Sequence, residues 1–384
     1  MPSEQTTIVD TENQFEWDQI TSTFNDSNIL TNRLTHFDNG NTTEEHFDGV
    51  TGALDVVIEQ DLADEESWVQ ILTSYDNLGT ATQSTSFDNG VTREDRIQPA
   101  LTEDVPAYLS SRHEYDDGEA FGWATRSYKY DFSGNLLNSS VHLDNGLSEG
   151  RTYQEGLLTS KIRRDTNDIF AWETIETRYD RDGYVEDREI VYDDGIEQYM
   201  AFFDGHLFYV SQSDNLNEVG DSPADGGVKN WETTETFYDR DGNVDSRNFF
   251  YDDGTVKYMA FDSGQLNGVY QGDNLDEFGD SPADGGAKNW ETIHTYYDRG
   301  GNVVDREIVY DDGIVKAMAF HDSQVFYVYQ DDNLDEFGDS PADGGVKNWE
   351  TIQSFYDGDG NIQFKVTVYD NGSIDRTYFE NCIP

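Results

Sequence analysis

The chain has 384 residues, and its 79 Asp and Glu residues against 24 Lys and Arg residues give a formal net charge of −55. This charge argues against binding to nucleic acid or to anionic membrane surfaces, and it favours cations and basic partners. Disorder is typical of such charge when aromatic residues are few, but 23 Tyr, 22 Phe and 7 Trp recur here at fixed positions, so we expect a folded chain.

Residues 1–16 precede the first tryptophan and contain neither the basic nor the apolar segment of a secretion signal. No apolar run in the chain approaches the length of a membrane-spanning helix. Cys382 is the single cysteine, which excludes an intramolecular disulfide. We interpret residues 1–16 as a closing strand, supplied either within one chain or to the next molecule.

From residue 17 onward the chain is built of seven repeats, each of which begins with a tryptophan. Residues 17–171 contain three divergent repeats, and residues 172–384 contain four regular repeats, the last of which is truncated. The regular repeats are spaced by 59 residues. Repetition at a fixed period indicates a repeat protein, in which each unit packs against its neighbours. The repeats begin at Trp17, Trp68, Trp123, Trp172, Trp231, Trp290 and Trp349.

Each repeat is predicted to be an antiparallel meander of short strands, named A to D here, that are separated by Asp-Gly turns. The turn Asp180-Arg181-Asp182-Gly183 shows the chemistry. Asp at the first position accepts hydrogen bonds from the free amides of the turn, and Gly at the last position adopts a left-handed conformation without a Cβ clash. In the repeat at Trp172, the predicted strands cover residues 172–179, 184–192, 196–203 and 206–212.

The alternation of charged and apolar side chains along the strands helps to choose between an elongated sheet and a β-propeller. In residues 303–310 charged side chains fall on both faces of strand B, so neither face is predicted to be fully buried. The innermost strands of a β-propeller need apolar cover on both sides, which strands A and B do not supply. We therefore predict an all-β elongated twisted sheet or β-solenoid-like stack of seven meander units. A seven-bladed β-propeller is the alternative.

The turns carry a resemblance to known repeats. Tyr179-Asp180-x-x-Gly183 and Tyr238-Asp239-x-x-Gly242, each leading into a strand, resemble the YD repeats of Rhs-type proteins. The longer frame, W-x-T-x-x-x-x-Y-D-x-x-G followed by Y-D-D-G, is similar to repeats in RTX-type secreted proteins of marine bacteria. The toxin and self-cleavage modules of Rhs-type proteins and the G-G-x-G-x-D nonapeptides of RTX proteins are missing here, which argues against a toxin.

In three of the regular repeats, the loop that follows strand D is acidic and ten residues longer than the loop before Trp172. In two of them this loop contains the segment DNLDEFGDSPADGG. Several carboxylate and amide oxygens on a Gly-bent backbone are what Ca²⁺ requires, with about six to eight oxygens at about 2.3–2.6 Å. The sequence therefore predicts a Ca²⁺ site in each loop. The candidate ligands are Asp214, Asn217, Asp221 and Asp225, then Asp273, Asp276, Asp280 and Asp284, then Asp332, Asp335, Asp339 and Asp343.

The expected contribution of such sites to the free energy of unfolding is large. A site filled at about ten times its Kd adds about 1.4 kcal/mol to the free energy of unfolding. Three sites would add roughly 4 kcal/mol, against a typical total of about 5–15 kcal/mol. Two alternatives remain open: a solvated loop whose Asp side chains cap turns, and a halophilic adaptation in which the acidic surface holds hydrated cations without specific sites.

Two further functional interpretations concern the aromatic and titratable residues. Trp231, Trp290 and Trp349 are candidate platforms for a carbohydrate, although an aromatic residue at a fixed place in every repeat is more often a packing residue. Catalysis has little support, because the seven histidines occupy different repeat positions and form no H-E-x-x-H pair. The irregular segment 97–122, which contains His113 and Asp116, is the one catalytic candidate, and a boundary between repeats explains it better.

We therefore expect a non-enzymatic, extracellular or cell-surface β-repeat protein with a structural or adhesive role, stabilised by Ca²⁺. Its expected partners are cations, and either copies of itself joined by strand exchange or a surface glycan, with no nucleic acid and no membrane insertion. A carbohydrate-binding, lectin-like module is the alternative function. An enzyme is the third.

Overall fold

The computed structural model describes residues 4–100, 106–214, 230–273, 289–311, 313–332 and 349–379. Every regular element in these ranges is a β-strand. None of the described residues belongs to a helix that is long and apolar enough to cross a membrane. The chain forms two compact units, Met1–Val185 and Glu186–Pro384. The division at residue 171 that the sequence predicts rests on the regularity of the repeats, and it stays a prediction.

The first unit is an antiparallel meander in which each strand pairs with the one that follows it. Its strands are β1 (Glu4–Val9), β2 (Trp17–Phe24), β3 (Leu30–Phe37), β4 (Thr42–Phe47), β5 (Leu54–Gln60), β6 (Trp68–Tyr75), β7 (Ala81–Phe87), β8 (Val91–Gln98), β9 (Tyr108–Asp116), β10 (Trp123–Tyr130), β11 (Leu136–Leu143), β12 (Leu147–Gln154), β13 (Leu157–Asp165) and β14 (Trp172–Tyr179).

The second unit continues the same pattern of antiparallel neighbours. Its strands are β15 (Val185–Tyr192), β16 (Glu197–Phe203), β17 (His206–Ser213), β18 (Trp231–Tyr238), β19 (Val244–Tyr251), β20 (Val256–Asp262), β21 (Gln265–Gly272), β22 (Trp290–Tyr297), β23 (Val303–Tyr310), β24 (Val315–His321), β25 (Gln324–Asp331), β26 (Thr351–Tyr356), β27 (Ile362–Val368) and β28 (Ile374–Tyr378).

The turns between strands A and B have the predicted geometry. Asp180 accepts hydrogen bonds at one carboxylate oxygen from the backbone amides of Asp182 and Tyr184, both at 2.9 Å. Gly183 adopts the left-handed conformation, with φ +87°. In four repeats the turn between strands C and D is a two-residue hairpin such as Asp204-Gly205, where both residues have positive φ as a type I′ turn requires. The sequence prediction of an antiparallel meander is confirmed.

The pairing of strand D with the next strand A rules out separate propeller blades. In the second unit, Tyr209 of β17 pairs with Phe237 of β18, and Tyr327 of β25 pairs with Phe355 of β26. The first unit has the same connection, where Val57 of β5 pairs with Thr73 of β6. The repeats are therefore joined edge to edge by backbone hydrogen bonds within each unit. In a propeller each repeat would form a sheet of its own.

The strand register places alternate side chains on two different faces of the second unit. The face that we call the arginine face carries Thr or Ser from strand A, Arg or Lys from strand B, Met from strand C and Val from strand D; it includes Arg188, Met200, Val210, Thr236, Arg247, Met259, Val269, Thr295, Arg306, Met318 and Val328. The face that we call the aromatic face includes Tyr209, Phe237, Tyr258, Tyr270, His294, Tyr296, Tyr327 and Phe355.

Burial is shallow and largely polar. Among the described residues, ten hydrophobic side chains are buried against sixteen polar or charged ones. Thr85 is 2% exposed and Thr177 is 4% exposed, and both lie at mid-strand. Because so few apolar side chains leave water, the continuous hydrogen-bonded ladder and the turns must contribute a large share of the stability.

One turn in the last repeat tests how much its left-handed glycine contributes. Gly360 has φ +82°, whereas Gly358 in the same turn has no positive φ, and an added Cβ would meet no atom within 4 Å at either position. Gly360→Ala is expected to lower the free energy of unfolding by about 1 kcal/mol, because an L-residue is strained in that conformation. The measurement is urea unfolding of the full chain.

Gly358→Ala is the matched control. It is expected to leave the free energy of unfolding unchanged or to raise it by up to about 1 kcal/mol, because alanine reduces the freedom of the unfolded chain. Equal losses in the two variants would contradict the role of backbone conformation.

Candidate cation site

An acidic sequence pattern recurs in the regular repeats where strand D passes to the next strand A, and among the described residues one repeat brings its carboxylates together. Its three positions are the Asp that ends strand D, the residue directly after the Trp, and the Asp that follows strand B. In the repeat at Trp290 these are Asp273, Glu291 and Asp311, and one carboxylate oxygen from each lies within 4.8 Å of the others. We call this group the 273–291–311 cluster. It is an oxygen-rich site of the type that hard divalent cations bind.

The fold brings these residues together through main-chain contacts. The backbone amide of Asp273 donates to the carbonyl of Glu291 at 3.1 Å, which extends the pairing of β21 with β22 by one residue. Asp311 follows β23 and lies in the turn that Gly313, with φ +83°, closes. The three carboxylates therefore approach because the strands end in register, although they are distant in sequence.

The cluster is partly withdrawn from water. Asp273 is 2% exposed, and Glu291 and Asp311 are half-buried. The Oδ1 atom of Asp311 is buried without a hydrogen-bond partner among the described residues, and so is that of Asp370 in the next repeat. A buried carboxylate oxygen that receives no hydrogen bond is costly, and a bound cation would offset that cost.

The same main-chain arrangement holds in the two other repeats with long loops. The amides of Asp214 and Asp332 donate to the carbonyls of Glu232 and Glu350, both at 3.2 Å. Asp214 is 2% exposed and Asp332 is 1% exposed. The equivalent acidic positions in these repeats, in chain order, are Asp214, Glu232 and Asp252, then Asp332, Glu350 and Asp370.

In the repeats with short loops, the Asp that ends strand D caps the loop. Asp165 accepts a hydrogen bond from the amide of Phe170 at 2.6 Å, and Asp116 accepts one from Phe121 at 2.6 Å. The ten-residue insertion enters directly after this Asp in the other repeats. The turn-capping alternative concerned the long acidic loops, which lie outside the described residues, so it stays untested there.

Crowding of carboxylates is already visible in the first repeat. Burial and the nearby charges of Asp18 and Asp10 raise the pKa of Asp38 above its usual value. The backbone amides of the loop, that of Phe15 first, lower the pKa of Asp10. The loop amides thus stabilise the charged form of Asp10, whereas burial and neighbouring carboxylates disfavour the charged form of Asp38.

The structure places only part of the predicted calcium ligands. Asp214, Asp273 and Asp332 lie at the strand D ends described above. The other predicted ligands lie outside the described residues: Asn217, Asp221, Asp225, Asp276, Asp280, Asp284, Asp335, Asp339 and Asp343. Sequence reasoning missed Glu291 and Asp311 because it considered one loop at a time. The sequence signal that could have found them is the acidic residue directly after each Trp of the regular repeats, together with the Asp 21 residues after that Trp.

Three of the tryptophans have ring contacts with the loop that precedes them. In three repeats with short loops, a phenylalanine two residues before the Trp stacks on the indole, with ring centroids 5.2–5.7 Å apart. Trp231, Trp290 and Trp349 are half-buried. Trp290 also lines an open cavity of about 410 Å³ together with Asp252 and Lys257. A role in ligand binding stays a prediction for these residues.

The one catalytic candidate segment contains ordinary elements of the repeat. His113 and Asp116 lie in β9, which is the strand D of the second repeat. His113 pairs with Ser127 of β10, as strands D pair with strands A elsewhere.

No protein-family model and no curated protein matches the sequence. Among solved structures, the chain is similar to the Photorhabdus luminescens Tc holotoxin pore, with 13% identity, coverage of 91% of this chain and 18% of that chain, and a TM-score of 0.18. It is also similar to the TcdB2-TccC3 crystal structure, with 10% identity, coverage of 91% and 28%, and a TM-score of 0.16. These TM-scores are too low to transfer fold or function. Neither structure is described as an RTX protein, so that resemblance stays a prediction.

A second acidic contact lies outside the cluster, between two carboxyl groups. Glu189 of β15 and Glu197 of β16 share a hydrogen bond, and this bond, with burial and the charge of Glu189, raises the pKa of Glu197 to about 7. A hydrogen bond between two carboxyl groups requires one proton. The pair is therefore held together by a proton in weakly acidic solution and repels itself in alkaline solution.

The pair predicts a pH dependence with a definite sign. The folded chain holds a proton that the unfolded chain releases between pH 4.5 and about 7, so this pair contributes less stability as the pH rises through that window. Glu197→Gln removes the ionisation, and the variant is expected to be more stable than the wild type at pH 8 and to lose this advantage near pH 5. Calorimetric Tm values across the range measure the difference.

Glu186→Gln on the neighbouring strand β15 is the control, because Glu186 is exposed. It removes the same charge and is expected to show a small, flat difference across the range. A Glu197→Gln difference that does not vary with pH would refute the shared proton.

Proposed function

We propose that this chain is a non-enzymatic, extracellular β-repeat protein with a structural or adhesive role, and that its acidic clusters bind Ca²⁺. The observation that carries the proposal is the 273–291–311 cluster, where three carboxylate oxygens lie within 4.8 Å of one another. Placing three negative charges so close in a partly buried site requires a counter-ion, a shared proton or both.

Calcium fits this site better than magnesium on general grounds. Ca²⁺ accepts about six to eight oxygen ligands in flexible geometry, whereas Mg²⁺ demands a near-ideal octahedron and keeps several waters. Three carboxylates on two strand ends and a turn supply a partial shell. The acidic insertion that follows Asp273 directly in sequence offers further carboxylates and carbonyls to complete it.

A cation at this place would act on the joint between repeats. Asp273 ends one repeat, and Glu291 and Asp311 belong to the next. Binding to the folded chain alone raises stability by mass action, and it also relieves repulsion in a chain of net charge −55. The ion would therefore stiffen the strand D to strand A connection that joins the repeats.

The exposed sheet edges support assembly of copies as the form that this structural role takes. β1 occupies a strand D position, because Val9 pairs with Gln19 as Gln60 pairs with Gln70 in the next repeat. All residues of β1 and of β28, the strand C of the repeat at Trp349, are exposed. We propose that strand D of one copy adds to strand C of another, with calcium screening the repulsion between copies.

Carbohydrate binding is the second candidate function, and the cavity at Trp290 favours it. The cavity of about 410 Å³ combines the indole with Asp252, Asp253, Lys257 and Gln271. An aromatic surface beside carboxylate and amide groups offers a sugar both a stacking platform and hydrogen-bond partners.

Calcium binding predicts a reversal in the effect of Asp311→Asn. In EGTA the variant is expected to have a higher Tm than the wild type, because one of three clustered negative charges is removed. In millimolar Ca²⁺ it is expected to gain less Tm than the wild type, because a ligand is lost. Calorimetry in EGTA, Mg²⁺ and Ca²⁺ at constant ionic strength measures both signs.

Asp322→Asn is the control for charge alone, since the Asp322 side chain is 93% exposed. It is expected to change the calcium response little. If EGTA leaves the wild-type Tm unchanged, or if Na⁺ and Ca²⁺ act equally at equal ionic strength, the acidic surface serves salt adaptation and the proposed calcium role is wrong.

Carbohydrate binding predicts that Trp290→Ala abolishes a glycan signal while the fold is kept. The wild type and the variant are compared on a glycan array, and far-UV circular dichroism checks folding. Trp17→Ala is the control, because Trp17 stacks on Phe15 in the first repeat. A loss of folding in Trp290→Ala, or the absence of any glycan signal in the wild type, would count against this candidate.

A further inference from the structure

The aromatic face of the second unit contains a regular pair of rings at the junction between repeats. Where β17 meets β18, Tyr209 lies opposite Phe237, with ring centroids 4.9 Å apart. Where β25 meets β26, Tyr327 lies opposite Phe355 at 5.0 Å. Each tyrosine is the fourth residue of its strand D, so the pair is a repeating packing device.

The junction between these two lacks the first ring. Gly268 of β21 takes the place of the tyrosine and lies opposite Tyr296 of β22. A Cβ added to Gly268 would meet only ordinary contacts, at 3.8 Å from a backbone oxygen and 3.9 Å from the Tyr296 ring. The missing ring leaves a cavity of about 250 Å³, and Tyr296 is 49% exposed.

Aromatic rings wall this cavity, which we call the Gly268 slot. Tyr258, Tyr270, His294 and Tyr296 line it. Tyr258 and Tyr270 have ring centroids 5.6 Å apart, and Tyr270 meets His294 edge to face at 4.7 Å. The volume lies below the range of about 300–1,000 Å³ that suits drug-sized ligands, so the slot fits a small group.

Three carboxylates neighbour residues that line the Gly268 slot, and we call these carboxylates its rim. Glu307 lies across the strand pair from His294, and Asp305 lies across from Tyr296, on the same face. On the other side, Asn248, which lines the slot, donates to Glu235 at 3.0 Å. The slot thus combines aromatic walls with three nearby carboxylates, in a chain of net charge −55.

We propose that the Gly268 slot binds a quaternary ammonium group. The faces of aromatic rings attract a cation whose centre lies within about 6 Å of the ring centroid, and aromatic cages recognise methylated ammonium in this way. The carboxylate rim adds long-range attraction without a direct ion pair, which a fully methylated nitrogen does not need. The rim disfavours anions, and the apolar walls favour a methylated cation over a hydrated metal ion.

The test compares choline with 3,3-dimethylbutan-1-ol, its neutral carbon analogue of the same shape, by ligand-observed NMR and calorimetric titration of the full chain in EGTA. Choline is expected to bind about tenfold more tightly than the neutral analogue. Gly268→Tyr is expected to abolish choline binding and to raise the Tm, because it restores the ring pair of the neighbouring junctions and removes a glycine from a strand.

Two further variants distinguish the filling of the slot by a ring from the mere loss of glycine and from general attraction of cations. Gly268→Ala adds only a Cβ and is expected to keep choline binding. Tyr296→Ser removes an exposed wall and is expected to weaken it at least about fivefold. Because Gly268→Tyr keeps the net charge, general attraction of cations to the acidic surface would survive it. Choline binding that Gly268→Tyr leaves unchanged, equal binding of both probes, or binding of methyl glucoside in place of choline would overturn the proposal.

Discussion

The backbone ladder between strand D of one repeat and strand A of the next is the interaction on which the other features depend. Few apolar side chains are buried among the described residues, and mid-strand positions are often Thr or charged. Such a sheet cannot rely on a thick core, so the unbroken run of main-chain hydrogen bonds and the capped turns hold the meander. The ladder also fixes the register, and the register decides which side chains meet.

The same ladder determines where the basic and the acidic side chains lie. In the second unit, the mid-strand residues Arg188, Arg247 and Arg306 fall on one face. In the first unit, mid-strand Arg112 pairs with Asp95. The acidic residues collect at strand ends and in turns. There the ladder forces carboxylates from adjoining repeats together, because both strands end at the same level. A cation bound at such a joint would reduce the repulsion between these carboxylates.

Much of the fold follows from the sequence, because turns and period are local signals. The strands of the repeat at Trp172 match the predicted ranges within one residue at each end, because the turns at Gly183 and Gly195 fix where one strand ends and the next begins. The joining of repeats edge to edge could be favoured over a propeller only from the charged faces of strands A and B. The acidic cluster was harder to predict, because Asp273, Glu291 and Asp311 meet through register, and the sequence shows register only when all repeats are aligned.

Comparison between repeats therefore separates what the fold requires from what one repeat adds. A Tyr opposite an aromatic ring recurs at Tyr209 and Tyr327, so the fold accommodates a ring there without strain. Gly268 in the intervening repeat lacks that ring and weakens its strand, because glycine loses more backbone entropy on folding and packs no side chain. Gly268 therefore lowers the stability of its strand, while the surrounding rings and carboxylates are kept. This combination favours a binding site at Gly268 over a purely structural role for that position.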